Sequence, residues 1–80
     1  MENELKNIEN QLAIRIYKLF IAKYDGNKSA FAKDVSCNEA TIRRIFRNDQ
    51  GITINLLFRI ANALDITVAE LLKGLKINNK

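Results

Sequence analysis

Four short polar clusters constrain what this chain can fold into more than any other feature. Asp25-Gly26-Asn27, Ser36-Cys37-Asn38, Asn48-Asp49-Gln50-Gly51 and Asp65-Ile66-Thr67 are rich in residues that favour turns or cap helices. Between them, apolar residues recur every three or four positions, the period of an α-helix, and no proline interrupts the pattern. The spacing predicts helices over 11–24 (beginning as early as residue 3), 28–35, 39–47, 54–64 and 68–73, behind the caps Asn27, Asn38, Thr53 and Thr67. Thr67 and Glu70 have the spacing of a capping box, and Gly74 suits the left-handed position that closes a helix. Several Ile and Val lie inside these helices despite modest propensity, so packing must hold them there. The expected class is all-α, one domain over 1–80 with an N-terminal extension (1–10) and a C-terminal tail (75–80).

Composition narrows the chemistry. There is no histidine and a single cysteine, so imidazole-based catalysis, an internal disulfide and a thiolate metal cluster are all excluded. The carboxylates Asp34, Glu39, Asp49, Asp65 and Glu70 each have a turn, cap or surface explanation, and no glycine-rich phosphate loop is present. No catalytic residue, metal, cofactor or small-molecule ligand is expected. Cys37 reads as a buried structural thiol. The longest apolar run, Leu19–Ala22, is far too short to span a bilayer, and the acidic N-terminus is unlike a signal peptide, so no membrane association and a cytoplasmic location are expected. The net charge of +4 is uneven: the first ten residues carry −2 and the remainder +6. Such an excess favours a polyanionic partner.

The third helix shows where that partner would bind. Stepping about 100° per residue, Ile42, Ile45 and Phe46 fall on one side, and Glu39, Ala40, Arg43, Arg44 and Arg47 fall on the other. Three arginines against one acid are too lopsided to pair with one another. A cationic stripe can be nothing more than a solvated face, or it can be a helix that enters the major groove, where Arg bonds guanine O6 and N7 in bidentate fashion. The short second helix and the three-residue joint Ser36-Cys37-Asn38 favour the groove, because they have the form of a helix-turn-helix.

Residues 27–72 resemble the phage-repressor and Cro family of helix-turn-helix DNA-binding domains (the XRE type). The resemblance rests on Lys28-Ser29-Ala30-Phe31-Ala32, on Cys37 through Ile45, on Ile52-Thr53-Ile54 with Leu57, and on the run from Arg59 to Leu72. It implies a five-helix, lambda-repressor-like fold, to which this chain's own spacing adds an extended N-terminal helix. It also implies that Glu39, Ala40, Arg43 and Arg44 face base edges, while Lys28, Arg47, Asn48, Thr53 and Asn55 meet phosphates. Glu39 has two readings, acceptor from cytosine N4 or support for Arg43. Ser36 stands where the turn of the family usually has Gly, and Asn48 replaces the common Gly after helix 3. An ion pair frequent between helices 1 and 3 of the family would here be an apolar contact of Ile21 with Phe46.

The first helix has one apolar stripe too many. Ala13, Tyr17, Phe20, Ile21 and Tyr24 match the core-facing positions of the family. Leu5, Ile8, Leu12, Ile16 and Leu19 form a second stripe, and together the two exceed the roughly 100° that a surface helix needs. Either the tail through Leu75 and Ile77 or a second subunit must cover it. The expected cover is a second subunit, giving a homodimer on a palindromic operator, with Leu56 and Phe58 as another possible contact. The expected function is sequence-specific binding of double-stranded DNA by a small transcriptional regulator, most simply a repressor. An antitoxin or a restriction–modification controller would share this fold, and a protein–protein adaptor could use the same basic face.

Overall fold

The computed structural model describes the backbone of residues 2–76 and the side chains of residues 7–76. Within these residues there are five helices and no strand: α1 (Glu2–Tyr24), α2 (Lys28–Val35), α3 (Glu39–Phe46), α4 (Ile54–Ala63) and α5 (Val68–Leu72). The class is all-α, as expected, and α1 runs through the N-terminal extension without a break.

Each short helix starts on the side chain expected of it. The side-chain oxygens of Asn27, Asn38, Thr53 and Thr67 accept from the amides of Ala30, Thr41, Leu56 and Glu70 at 2.8–3.1 Å. Each satisfies one amide that the helix leaves unpaired. Three of the helix ends share one device. After α2, Ser36 turns left-handed (φ 68°), its amide donates to the Lys33 carbonyl and the Cys37 amide donates to that of Ala32. The same pair of bonds recurs around Asn48 (φ 60°) after α3 and Asp65 (φ 61°) after α4. This is the Schellman arrangement, usually built on glycine. Asn and Asp adopt the conformation readily, whereas Ser36 holds it at a cost of about 1 kcal/mol. Gly74 (φ 86°) follows α5.

The core is built from all five helices: Phe20, Phe31, Ile16, Ile42, Ile45, Ile60, Leu71 and Val35 have essentially no exposed surface. Phe46 packs edge-on to Tyr17 (5.0 Å between centroids) and tilted against Phe20 (5.1 Å). Ile21, expected to touch Phe46, is 40% exposed. The hydroxyl of Tyr24 lies 2.7 Å from Asp34 Oδ2 and 3.0 Å from the Ala63 carbonyl, joining α1, α2 and α4. Burial, then the hydrogen bond and charge of Asp34, push the phenol up to about 12.

The second stripe of α1 needs correction. Leu12 and Ile16 are buried in the core of their own chain, so these two are not a surface for a second subunit; Leu19 is half-buried and packs against that core. Ile8 is half-buried beside a cavity of about 80 Å³ shared with Leu12, Ala13, Ile45 and Ile52. The side chain of Leu5 lies outside the described residues. The physical reason is that α1 is gripped from the C-terminal end. Arg15 donates from Nε to the Leu71 carbonyl and from Nη2 to the Glu70 carbonyl, both at 2.9 Å, placing a cation at the negative end of α5. Gln11 exchanges two bonds with the backbone of Lys76 (3.0 and 3.2 Å), and Leu75 packs onto the core. The tail therefore does part of the covering; Ile77 lies outside the described residues. Conversely, Tyr17 and Ile21, expected to face inward, are about two-fifths exposed. Leu56 is buried, which removes it from the possible contact surface on α4.

Candidate nucleic-acid interface

The outer face of α3 follows from how its inner face is held. Ile42 and Ile45 are buried and Phe46 packs into the aromatic cluster, so the helix rests on α1 and α2. That fixes its rotation, and Arg43, Arg44 and Arg47 are left exposed. Glu39 and Ala40 stand at the rim, half-buried, on the first turn behind the Asn38 cap. No other part of the described chain covers the arginines.

The joint before α3 is held from outside the helix-turn-helix. Arg59 of α4 donates from Nη1 to the carbonyl of Ser36 at 2.9 Å, across 23 residues. This bond fastens the left-handed residue that sets the angle between α2 and α3. Cys37 beside it is half-buried against the core, and burial raises its thiol pKa while the Arg59 charge opposes the rise. A half-buried thiol with a raised pKa fits a packing role better than a reactive one.

The arginines differ in their surroundings. Arg43 Nη1 lies 2.9 Å from Glu39 Oε2, one turn away, and the other carboxylate oxygen of Glu39 accepts from Ser29 Oγ of α2 at 3.2 Å. Arg47 Nε lies 3.1 Å from Asp49 Oδ2 in the following loop. Arg44 forms no ion pair or side-chain hydrogen bond among the described residues. Of the residues expected at phosphates, Lys28 opens α2 and is half-exposed, while Thr53 and Asn55 are exposed at the start of α4. Thr53 Oγ1 already accepts from the Leu56 amide, which leaves its hydroxyl proton as donor. Asn48 is half-buried in the left-handed closure of α3. The N-termini of α2 and α4 thus bring amide ends and small polar side chains to either side of α3 in sequence, the arrangement that suits phosphate.

Ser29, Asp49 and Arg59 had no place in the expected site. The i,i+4 spacing of Glu39 and Arg43 was visible in the sequence. The approach of Ser29 to Glu39 and of Arg59 to Ser36 depends on how separate helices meet, which no local pattern encodes.

No helix among the described residues is long and apolar enough to cross a membrane. No curated protein and no solved structure matches the chain. A family model described as the Cro/C1-type helix-turn-helix DNA-binding domain matches residues 18–74. That span takes in the end of α1, both helices of the helix-turn-helix, α4 and α5, well over half of the chain. With α2, the Schellman turn and an α3 whose arginines face outward, the chain belongs to the Cro/C1-type helix-turn-helix family of DNA-binding domains.

Proposed function

We propose that the protein is a sequence-specific repressor that reads the major groove with α3. Arg43 and Arg44 meet base edges beside Ala40, with Glu39 at the rim. Lys28, Arg47, Asn48, Thr53 and Asn55 meet the phosphates on either side. The observation that carries this reading is the uncovered outer face of α3, where exposed Arg43 and Arg44, with exposed Arg47 at the C-cap, follow a capped N-terminus. An α-helix with its side chains fits the roughly 12 Å width of the major groove. Repression follows in its simplest form from occupancy of an operator in the cytoplasm, with no ligand or catalytic step.

The same reading includes a homodimer on a palindromic site, with two copies of α3 about 34 Å apart. What supports a second copy is now the face of α4. Ile54 is 71% and Phe58 59% exposed, beside a groove lined by Ala61, Asn62, Ile66 and Val68. Arg59 is the one charged residue of α4, and it is turned to the Ser36 carbonyl. An uncharged face puts no like charges in direct contact when two positively charged chains meet on it.

Selection from a random DNA pool tests both parts, because a recovered site reports preference and symmetry together. A titration across a salt series should give a log–log slope of about −4 to −5 per subunit, corresponding to roughly five phosphate contacts, and about double for a dimer. Weak binding without a preferred sequence would instead favour an adaptor that uses the basic face on an acidic protein. Sedimentation equilibrium of Phe58→Glu, if the α4 face is the contact, should give a monomer.

A further inference from the structure

We infer that Glu39 is a positioning residue for Arg43, and that the pair, tethered to α2 through Ser29, sets base discrimination rather than affinity. The inference rests on the reading of α3 as the base-reading helix. Both oxygens of the Glu39 carboxylate are engaged, one by Ser29 Oγ at 3.2 Å and the other by Arg43 Nη1 at 2.9 Å. To accept from a cytosine amino group, the carboxylate would have to share or surrender one of these partners.

An arginine side chain on a helix surface is long and flexible, and placing it against one base edge costs rotamer freedom. Glu39 reduces that cost beforehand. It takes one end of the guanidinium and leaves the remaining donors to face outward, toward an acceptor pair such as guanine O6 and N7. A carboxylate on the same helix would move with that helix. Ser29 belongs to α2, so its bond ties the carboxylate to the second helix of the unit. The other two arginines lack this arrangement: Asp49, the partner of Arg47, lies in the loop after α3, and Arg44 has no partner among the described residues.

The electrostatics point the same way. Glu39 brings a negative charge to a surface that would approach phosphates, which opposes affinity for any DNA. The side chains of the pair are about half exposed (50% and 43%), and an exposed i,i+4 pair contributes little to folding. A residue that weakens general binding and adds little stability acts through the geometry of its neighbour.

The test uses the full chain and its preferred duplex from pool selection. Fluorescence anisotropy at fixed salt measures binding to that duplex, to every single-base-pair variant of it and to mixed-sequence DNA. In Glu39→Ala, discrimination at the base pair read by Arg43 should fall about five- to tenfold, while affinity for mixed DNA rises. Glu39→Gln, which keeps an acceptor for Arg43, should restore part of the discrimination. Ser29→Ala should produce a smaller loss at the same base pair, and in an Arg43→Ala background Glu39→Ala should change discrimination nowhere. Loss at a different base pair that persists without Arg43 would make Glu39 a direct reader and overturn the inference. Unchanged discrimination in Glu39→Ala would also overturn it. A parent protein that prefers no sequence would instead defeat the underlying reading of α3, an outcome visible before any variant is made.

Discussion

α3 and α1 are both amphipathic, but they are held by different numbers of neighbours. α3 has eight residues between an Asn cap and a left-handed Asn, packs on α1 and α2, and gives its whole remaining side to solvent. α1 has 23 residues and is met by α2, α3, α5 and the tail beyond α5. A helix with one packed side has one apolar stripe, and its rotation can be read from periodicity. A helix gripped from several sides needs apolar residues around much of its circumference, and periodicity alone does not say which of them meets the core. Width of an apolar stripe is therefore evidence of neighbours, and those neighbours can belong to the same chain.

The sharpest way to break this comparison is at Ile16. It is fully buried, so Ile16→Ala should lower the unfolding free energy by about 3 kcal/mol in urea denaturation, independently of protein concentration. A loss that grows on dilution would return the residue to a subunit interface. On α3 the effect should fall on binding instead. Arg44→Ala should cost about 1–3 kcal/mol of DNA affinity and relax preference at one base pair, with the thermal midpoint almost unmoved. Lys28→Ala should weaken all sequences alike; a changed preference would contradict its place at phosphate.

Tyr24 refines the picture of α1, because its one hydroxyl proton lies between two acceptors, Asp34 Oδ2 on α2 and the Ala63 carbonyl on α4. Tyr24→Phe should cost about 1 kcal/mol at neutral pH. The phenol titrates at about 12 in the folded chain against 10 for its ordinary value, so folding favours the protonated form. The advantage of the parent over Tyr24→Phe should be complete well below pH 10 and be lost as pH rises from 10 towards about 12, measured by chemical denaturation across that range. The smallest expected effect lies at the joint. Ser36→Gly removes a left-handed non-glycine residue and should raise stability by about 0.5 kcal/mol, in spite of the extra freedom glycine has when unfolded.

What was legible in the sequence was local. Asn27, Asn38, Thr53 and Thr67 cap within three residues of themselves, so their helices begin where the cap signals place them. The strain at Ser36 was foreseeable only through the resemblance, because the family usually has Gly at that position of the turn. Arg43 and Arg44 were legible because they oppose Ile42 and Ile45 on a short helix. What escaped depends on helix-to-helix placement. Arg15 on the carbonyls of α5, Arg59 on Ser36 and Ser29 on Glu39 are bonds of flexible or surface side chains across 10 to 56 residues. Nothing in residue spacing distinguishes such a bond from a solvated charge. The capping box shows the same limit on a smaller scale: Thr67 caps the Glu70 amide, while among the described residues the reciprocal bond from the Glu70 side chain is not formed.

The grip of α1 on the C-terminal end has a further consequence. Recognition of the family begins at residue 18, yet Leu12, Ala13 and Ile16 fill the core ahead of that point, and Arg15 completes the end of α5. A polypeptide trimmed to 18–74 would keep every side chain assigned to DNA and lose the floor beneath them. For this protein, the stretch that announces the family and the stretch that builds the core are two different lengths of chain.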